Sequence, residues 1–196
     1  MKPVFVYFNG PPRSGKDECV KGLWMWAKRR PKTNGEVRIY KISMARPLKL
    51  ALGALIGRNL SEVEAAKEDE IAPGLTGRQA LISLSTWAKG TIRKDILALL
   101  ALDEVRRILA TVAGKPIVPV FAFSDIGFEF ELDPFVRGYP GCEHLLIRLF
   151  RHGFSFRGDN REYIQGFDRT TDVKDKKEVA DLHREVASIV EELIHD

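Results

Sequence analysis

The sequence predicts an α/β fold: a parallel sheet of about five strands covered on both faces by helices. Three observations predict it. Short, nearly continuous apolar runs recur along the chain, as strands buried on both faces require. Helical patterns alternate with these runs. Each of the four clearest runs is followed at once by a turn, at Gly10, Ser43, Asp125 and Arg151. In open parallel sheets ligands bind beyond the carboxyl ends of the strands, so these four positions are expected to converge.

The first strand is Pro3 to Asn9, where Val4, Phe5, Val6, Tyr7 and Phe8 are β-formers closed by Asn9-Gly10-Pro11-Pro12. A helix from Gly15 to Arg30 sets Val20, Leu23, Trp24 and Ala27 on one face and stops at Pro31. Glu36 to Ile42, bounded by Asn34-Gly35, is the second strand. From Ala45 to Leu109 the pattern is helical and broken by turns. One helix runs from Pro47 to Ile56 and closes on Gly57; a capping box of Ser61 and Glu64 opens another. Pro73-Gly74 is a loop, and helices follow over Gly77–Lys89 and Lys94–Val112. The third strand is Ile117 to Phe123 and the fourth His144 to Phe150, with a weaker fifth between Gln165 and Val173. An amphipathic helix from Lys177 to Ile194 ends the chain.

With 196 residues, 44% hydrophobic and 30% charged, the chain reads as one globular domain carrying an insertion at 44–113. That composition excludes disordered, collagen-like and membrane-spanning classes. The net charge of +4 is dispersed rather than gathered into a stripe, which argues against nucleic acid and for small phosphorylated ligands. Cys19 and Cys142 form neither a metal-site spacing nor a disulfide framework, and the four histidines have no metal spacing. The run Val4–Phe8 is too short for a signal peptide's core or a membrane span. A cytoplasmic protein is expected.

The strongest local signal is Gly10-Pro11-Pro12-Arg13-Ser14-Gly15-Lys16-Asp17. It is GxxxxGK between an apolar strand and a helix, the setting in which this pattern is a phosphate loop. The glycines let successive N–H groups turn toward phosphate oxygens, the helix adds its positive end, and Lys16 reaches the β- and γ-phosphates. Gly10, Arg13, Ser14, Gly15, Lys16, Asp17 and Glu18 are the expected ATP-binding residues. Position 17 departs from the usual Ser or Thr. Asp17 either binds magnesium or repels phosphate unless a metal or Arg13 neutralises it.

The loop Ser14-Gly15-Lys16-Asp17 resembles that of bacteriophage deoxynucleoside monophosphate kinases, and animal phosphomevalonate kinase has a similar one. Ser43-Met44-Ala45-Arg46-Pro47-Leu48-Lys49 is similar to the segment that opens the family's acceptor region. Gly77 to Leu81, continuing to Trp87-Ala88-Lys89, resembles its next helix. Ser124 to Glu131 resembles the segment after the third strand, with Gly127 where arginine is frequent. Arg148 to Phe156 and Gly158-Asp159-Asn160-Arg161 resemble a phage variant, with Asn160 where serine is frequent.

The resemblance implies an adenylate-kinase-like, P-loop NTPase-type fold, with ATP and magnesium as cofactors and transfer of the γ-phosphoryl to a deoxynucleoside monophosphate. It implies nucleotide substrates, a homodimer as one assembly, and the host cytoplasm if the chain is phage-encoded. Lys16, Asp125, Arg151 and Arg161 are the expected catalytic residues, with Asp17 and Asp125 as metal ligands. Asp125 has a second reading, as a turn cap. Ser43, Arg46, Arg78, Trp87 and Arg148 are the expected acceptor-binding residues.

Arg46 and Lys49 share a helix face, either gripping the acceptor phosphate or standing in solvent, the second for Lys49 above all. Arg78 opposes its helix dipole, a conflict that an anion would relieve. Trp87 stacks on a base or fills a core, and Arg148 lies inside a strand pattern where a structural role also fits. Residues 151–163, with Gly153 and Gly158, form a lid-like loop, and Val173–Lys177 borders the adenine by resemblance. His183 and His195 belong to the last helix's solvated face. Two other functions fit the same residues: a kinase acting on another phosphorylated small molecule, and a nucleotide-dependent binding protein without catalysis.

Overall fold

The computed structural model describes residues 1–31, 35–176 and 178–195. Asn34, expected to bound the second strand, and Lys177, expected to begin the last helix, lie outside the described residues.

Five strands form one sheet: β1 (Val4–Asn9), β2 (Glu36–Ile42), β5 (Ile117–Phe123), β6 (Glu143–Leu149) and β7 (Thr170–Val173). Their order is β2-β5-β1-β6-β7 and every pairing is parallel. β1 is central, and its alternate residues serve two cores. Val4, Val6 and Phe8 face helices α1 (Lys16–Arg29) and α7 (Val179–His195). Phe5 and Tyr7 face α5 (Ile96–Val112) and the short α6 (Asp133–Gly138). The sheet is thus covered on both faces, as its continuous apolar runs require.

Helices α2 (Arg46–Ile56), α3 (Leu60–Ala65) and α4 (Gly77–Thr91) gather around a third, smaller core of Leu52, Val63, Ala80 and Leu81. Two details differ from the sequence pattern. Pro73-Gly74 is the turn of a small antiparallel hairpin, β3 (Glu70–Ala72) and β4 (Leu75–Thr76). The capping box of α3 begins two residues earlier than expected. Asn59 caps it by accepting from the Glu62 N–H at 3.0 Å, while the Glu62 carboxylate accepts from the Asn59 N–H. Asn59 and Ser61 are both cap formers spaced three from a glutamate, so the pattern alone could not choose between them.

Lys49 is a correction. Expected in solvent, it is buried, and its ammonium pairs with Glu64 between α2 and α3. His183 is another: it lies in the seam between α1 and α7, its ring against Gly22. A Cβ at residue 22 would stand 2.7 Å from the imidazole, so the glycine is what lets the ring in. Among the described residues no helix is long and apolar enough to cross a membrane.

Candidate active site

The carboxyl ends of β1, β2, β5 and β6 bring together the residues that follow them. β1 runs into the expected phosphate loop, where backbone demands are strict. Arg13 holds φ 64° and Gly15 φ 102°, so two near-consecutive residues adopt the left-handed region and fold the loop back on itself. A Cβ on Gly10 would stand 2.7 Å from Ser14 Oγ and 3.0 Å from the Leu149 carbonyl. Only glycine allows that approach.

Lys16 closes the loop. Its Nζ donates to the carbonyls of Gly10 at 2.6 Å and Pro11 at 2.7 Å. Burial, and next the nearby Arg161 cation, push its amine down to about 8. A partly desolvated cation beside another cation is poised for an anion that would restore its charge.

Asp17, the first acidic residue of α1, is exposed. Its Oδ1 accepts from Lys41 Nζ and from Ser124 Oγ, each at 2.8 Å. Partial desolvation raises this carboxyl, but the two donors and the charge of Lys41 outweigh that and hold it below its ordinary range. The residue that neutralises Asp17 is therefore Lys41, from the end of β2, and not Arg13. Nothing in the sequence marked Lys41, because its strand position reads as an ordinary solvent-facing residue.

Asp125 is spent elsewhere. Its Oδ2 accepts from Ser43 Oγ at 2.7 Å and the Ala45 N–H at 3.1 Å, and its Oδ1 from the Met44 N–H at 3.1 Å. Both oxygens hold the turn between β2 and α2. These contacts are those of the turn cap that the sequence also allowed for Asp125. Ser43 shares that turn, its hydroxyl given to Asp125.

The arginines divide in the same way. Arg151 donates to the Arg13 carbonyl at 3.0 Å and lies over the Phe154 ring, so it touches the phosphate loop. Arg161 is clasped by Asp159, with Nε–Oδ1 2.8 Å and Nη2–Oδ2 2.5 Å, near enough to lower the Lys16 amine. It crosses over Gly127: a Cβ there would stand 2.4 Å from Arg161 Cδ. Gly127, in place of an arginine, leaves the room that Arg161 fills.

Arg148 by contrast is a brace between β6 and β7. It bonds Asp172 at 2.7 and 3.0 Å, the Ile164 carbonyl and Gln165 Oε1. Arg46 faces Glu104 of α5 at 3.8 Å, and Arg78 is held by Glu68, whose carboxylate relieves the dipole conflict that an anion was expected to relieve. Trp87 fills no core; it is 59% exposed on α4.

Two buried groups that the sequence did not single out fix the loop ends. Asn9, wholly buried, accepts from the Ile164 N–H at 3.1 Å and donates to the Glu162 carbonyl at 3.3 Å, tying the end of the 151–163 loop to β1. Glu131, also buried, accepts from the N–H groups of Gly127 and Phe128 and from Lys89 of α4. It holds Gly127 beneath Arg161. A buried polar residue inside an apolar strand end, as Asn9 is, was the available signal.

A cleft opens beside the phosphate loop. It is lined by Ser14, Gly15 and Glu18 on one side, and by Val173, Lys174 and Leu182 on the other. Ser14 Oγ is buried there with no hydrogen-bond partner among the described residues. Cys19 lies beneath the loop, its thiol pushed up to about 12 by burial, which makes it a packing residue and not a nucleophile.

No protein-family model matches the chain, and no curated protein matches it significantly. Among solved structures the chain is similar to APE1195, at 12% identity over 98% of this chain and 97% of that one, with a TM-score of 0.48. It is also similar to the APS kinase CysC of Mycobacterium tuberculosis, at 12% identity over 97% of this chain and 98% of that one, with a TM-score of 0.46. Likenesses of that extent say nothing about substrate.

Proposed function

We propose that the chain is a P-loop kinase that moves the γ-phosphoryl group of ATP onto the phosphate of a deoxynucleoside monophosphate. One observation carries the reading: a glycine-bounded loop whose lysine amine is lowered by burial and, next, by a neighbouring arginine, at the carboxyl edge of a parallel sheet. Two cations held near one loop repel each other, and a polyphosphate is the ligand that would stabilise both.

In this reading the loop N–H groups and Lys16 hold the β- and γ-phosphates, and Ser14, with its unpartnered hydroxyl, supplies a further donor. The nucleoside lies in the cleft toward Val173 and Lys174. Arg161 and Arg151 neutralise charge on the phosphoryl group in flight. The acceptor is already an anion, so positioning and charge carry the step and no strong general base is needed.

Asp17 suits magnesium, which commonly takes one or two carboxylates and fills its remaining positions with phosphate oxygens and water. Ser124 Oγ stands beside it. When bound, a metal held by Asp17 would supply positive charge against the polyphosphate.

Coupled turnover of ATP over dAMP, dGMP, dCMP, dTMP and hydroxymethylated dCMP tests the proposal, with phosphomevalonate as the contrasting acceptor. Phosphorylation of at least one deoxynucleotide is expected. Turnover of phosphomevalonate alone would move the chain to another class of small-molecule kinase. ATP binding with no acceptor turned over would make it a binding protein.

A further inference from the structure

Asp17 stands where the common pattern has a neutral Ser or Thr, so the site carries a negative charge that incoming phosphates must meet. The chain answers this with Lys41. Its ammonium reaches Asp17 Oδ1 at 2.8 Å from the end of β2, an edge strand of the sheet. Ser124 Oγ bonds the same oxygen. Lys41 is 52% exposed, and a surface groove shared with Lys21, Trp24 and Ile39 runs beside it. The ammonium thus has room to leave without unpacking the core.

Resting on the kinase reading, we propose that Lys41 is a tethered cation which occupies the metal's carboxylate in the free protein, so that Lys41 and a divalent ion compete for Asp17. In the free chain Lys41 cancels the charge that would repel phosphate. A divalent ion arriving with the phosphates takes Asp17 and releases Lys41 into the groove. An exchange of this kind favours metal and nucleotide entering together, because neither gains the full benefit of Asp17 alone.

The competition has a signature that ordinary attraction lacks. Without metal, Lys41→Met leaves Asp17 bare beside the phosphates and weakens their binding. With metal, the ion no longer has to displace an ammonium, and binding is unchanged or tighter. The ratio of affinity with magnesium to affinity in EDTA should therefore rise by about fivefold, the scale of a half-exposed ion pair. Lys41→Arg should keep the wild-type ratio, and in an Asp17→Ala background Lys41→Met should leave the ratio unmoved.

The measurement is calorimetric binding of ADP and, separately, of inorganic pyrophosphate, with magnesium and with EDTA, in five proteins: the wild type, Lys41→Met, Lys41→Arg, Asp17→Ala and the Asp17→Ala/Lys41→Met double variant. Direct titration of manganese by its electron-spin signal gives a second readout. A Lys41→Met variant that changes both affinities by one common factor, or neither, would overturn the proposal. Pyrophosphate binding without ADP binding would refute the nucleotide reading and still decide the role of Lys41. Binding of neither probe to the wild-type chain would overturn both.

Discussion

Asp17 and Asp125 stand at the same edge of one sheet, and they are used in opposite ways. Asp125 gives its oxygens to a serine hydroxyl and two backbone N–H groups, partners fixed by the β2–α2 turn. Asp17 gives one oxygen to a serine hydroxyl and to the end of a mobile-stemmed lysine, in reach of solvent. Ser124 and Asp125 are adjacent residues, yet one serves the phosphate loop and the other the turn. Arg161 and Arg148 repeat the contrast. Arg161 is held by one carboxylate beside the loop, whereas Arg148 is spread over Asp172, Gln165 and a carbonyl between two strands. A charged group at a binding edge can act on a ligand only if its own partners can be exchanged. Backbone donors inside a turn cannot be.

The largest effect should come from removing the group at the centre of the open region. Lys16→Ala is expected to lower phosphoryl transfer by about a thousandfold or more, since it deletes the cation on the β/γ-phosphates. Circular dichroism should show an intact fold. Near-normal turnover would mean that the loop is not the reacting site.

The paired arginines come next. Arg161→Ala should lower kcat by about a hundredfold and, near neutral pH, leave ADP affinity nearly unchanged. Arg148→Ala should leave the kcat of folded protein alone and lower stability by about 1–2 kcal/mol, through loss of its carboxylate contacts. Equal effects of the two variants on kcat would erase the distinction between open and spent groups.

The two aspartates separate by the same logic. Asp125→Ala strands three donors of the β2–α2 turn and should cost about 2 kcal/mol, read from denaturant melts. Asp17→Ala should barely move the melt, but should raise the magnesium concentration needed for activity more than the ATP KM. Asp17→Ser should keep substantial activity, as Ser is the usual residue there.

The smallest effect is a matter of pH. With Lys16 at about 8 in the folded chain and roughly 10.4 when unfolded, the unfolded state holds more protons between those values. Stability of the ligand-free chain should therefore rise with pH across that window. Anion affinity should fall over the same range, by at most about tenfold per pH unit, because it needs the charged amine. Arg161→Ala removes one of the causes of the shift and should move the affinity profile to higher pH. Thermal melts and ADP titrations from about pH 7 to pH 9.5 would read both trends.

The sequence by itself determined what is local. The apolar runs and the stops between them fixed a parallel sheet with two covered faces, because burial on both sides needs no partner to be legible. Gly10, Gly15 and Lys16 marked the candidate phosphate loop, because contiguous residues set its curl and its lysine. Only the tertiary structure decided which charges were left for a ligand. Asp125 finds Ser43 at 82 positions' distance, and Asp17 finds Ser124 at 107. Lys41 and Asn9 acquire their roles in the same way, from segments that meet only when the sheet is assembled. Hydrogen bonds between distant residues leave no periodicity in the chain, so the motif could name the loop but not the partners that keep it open.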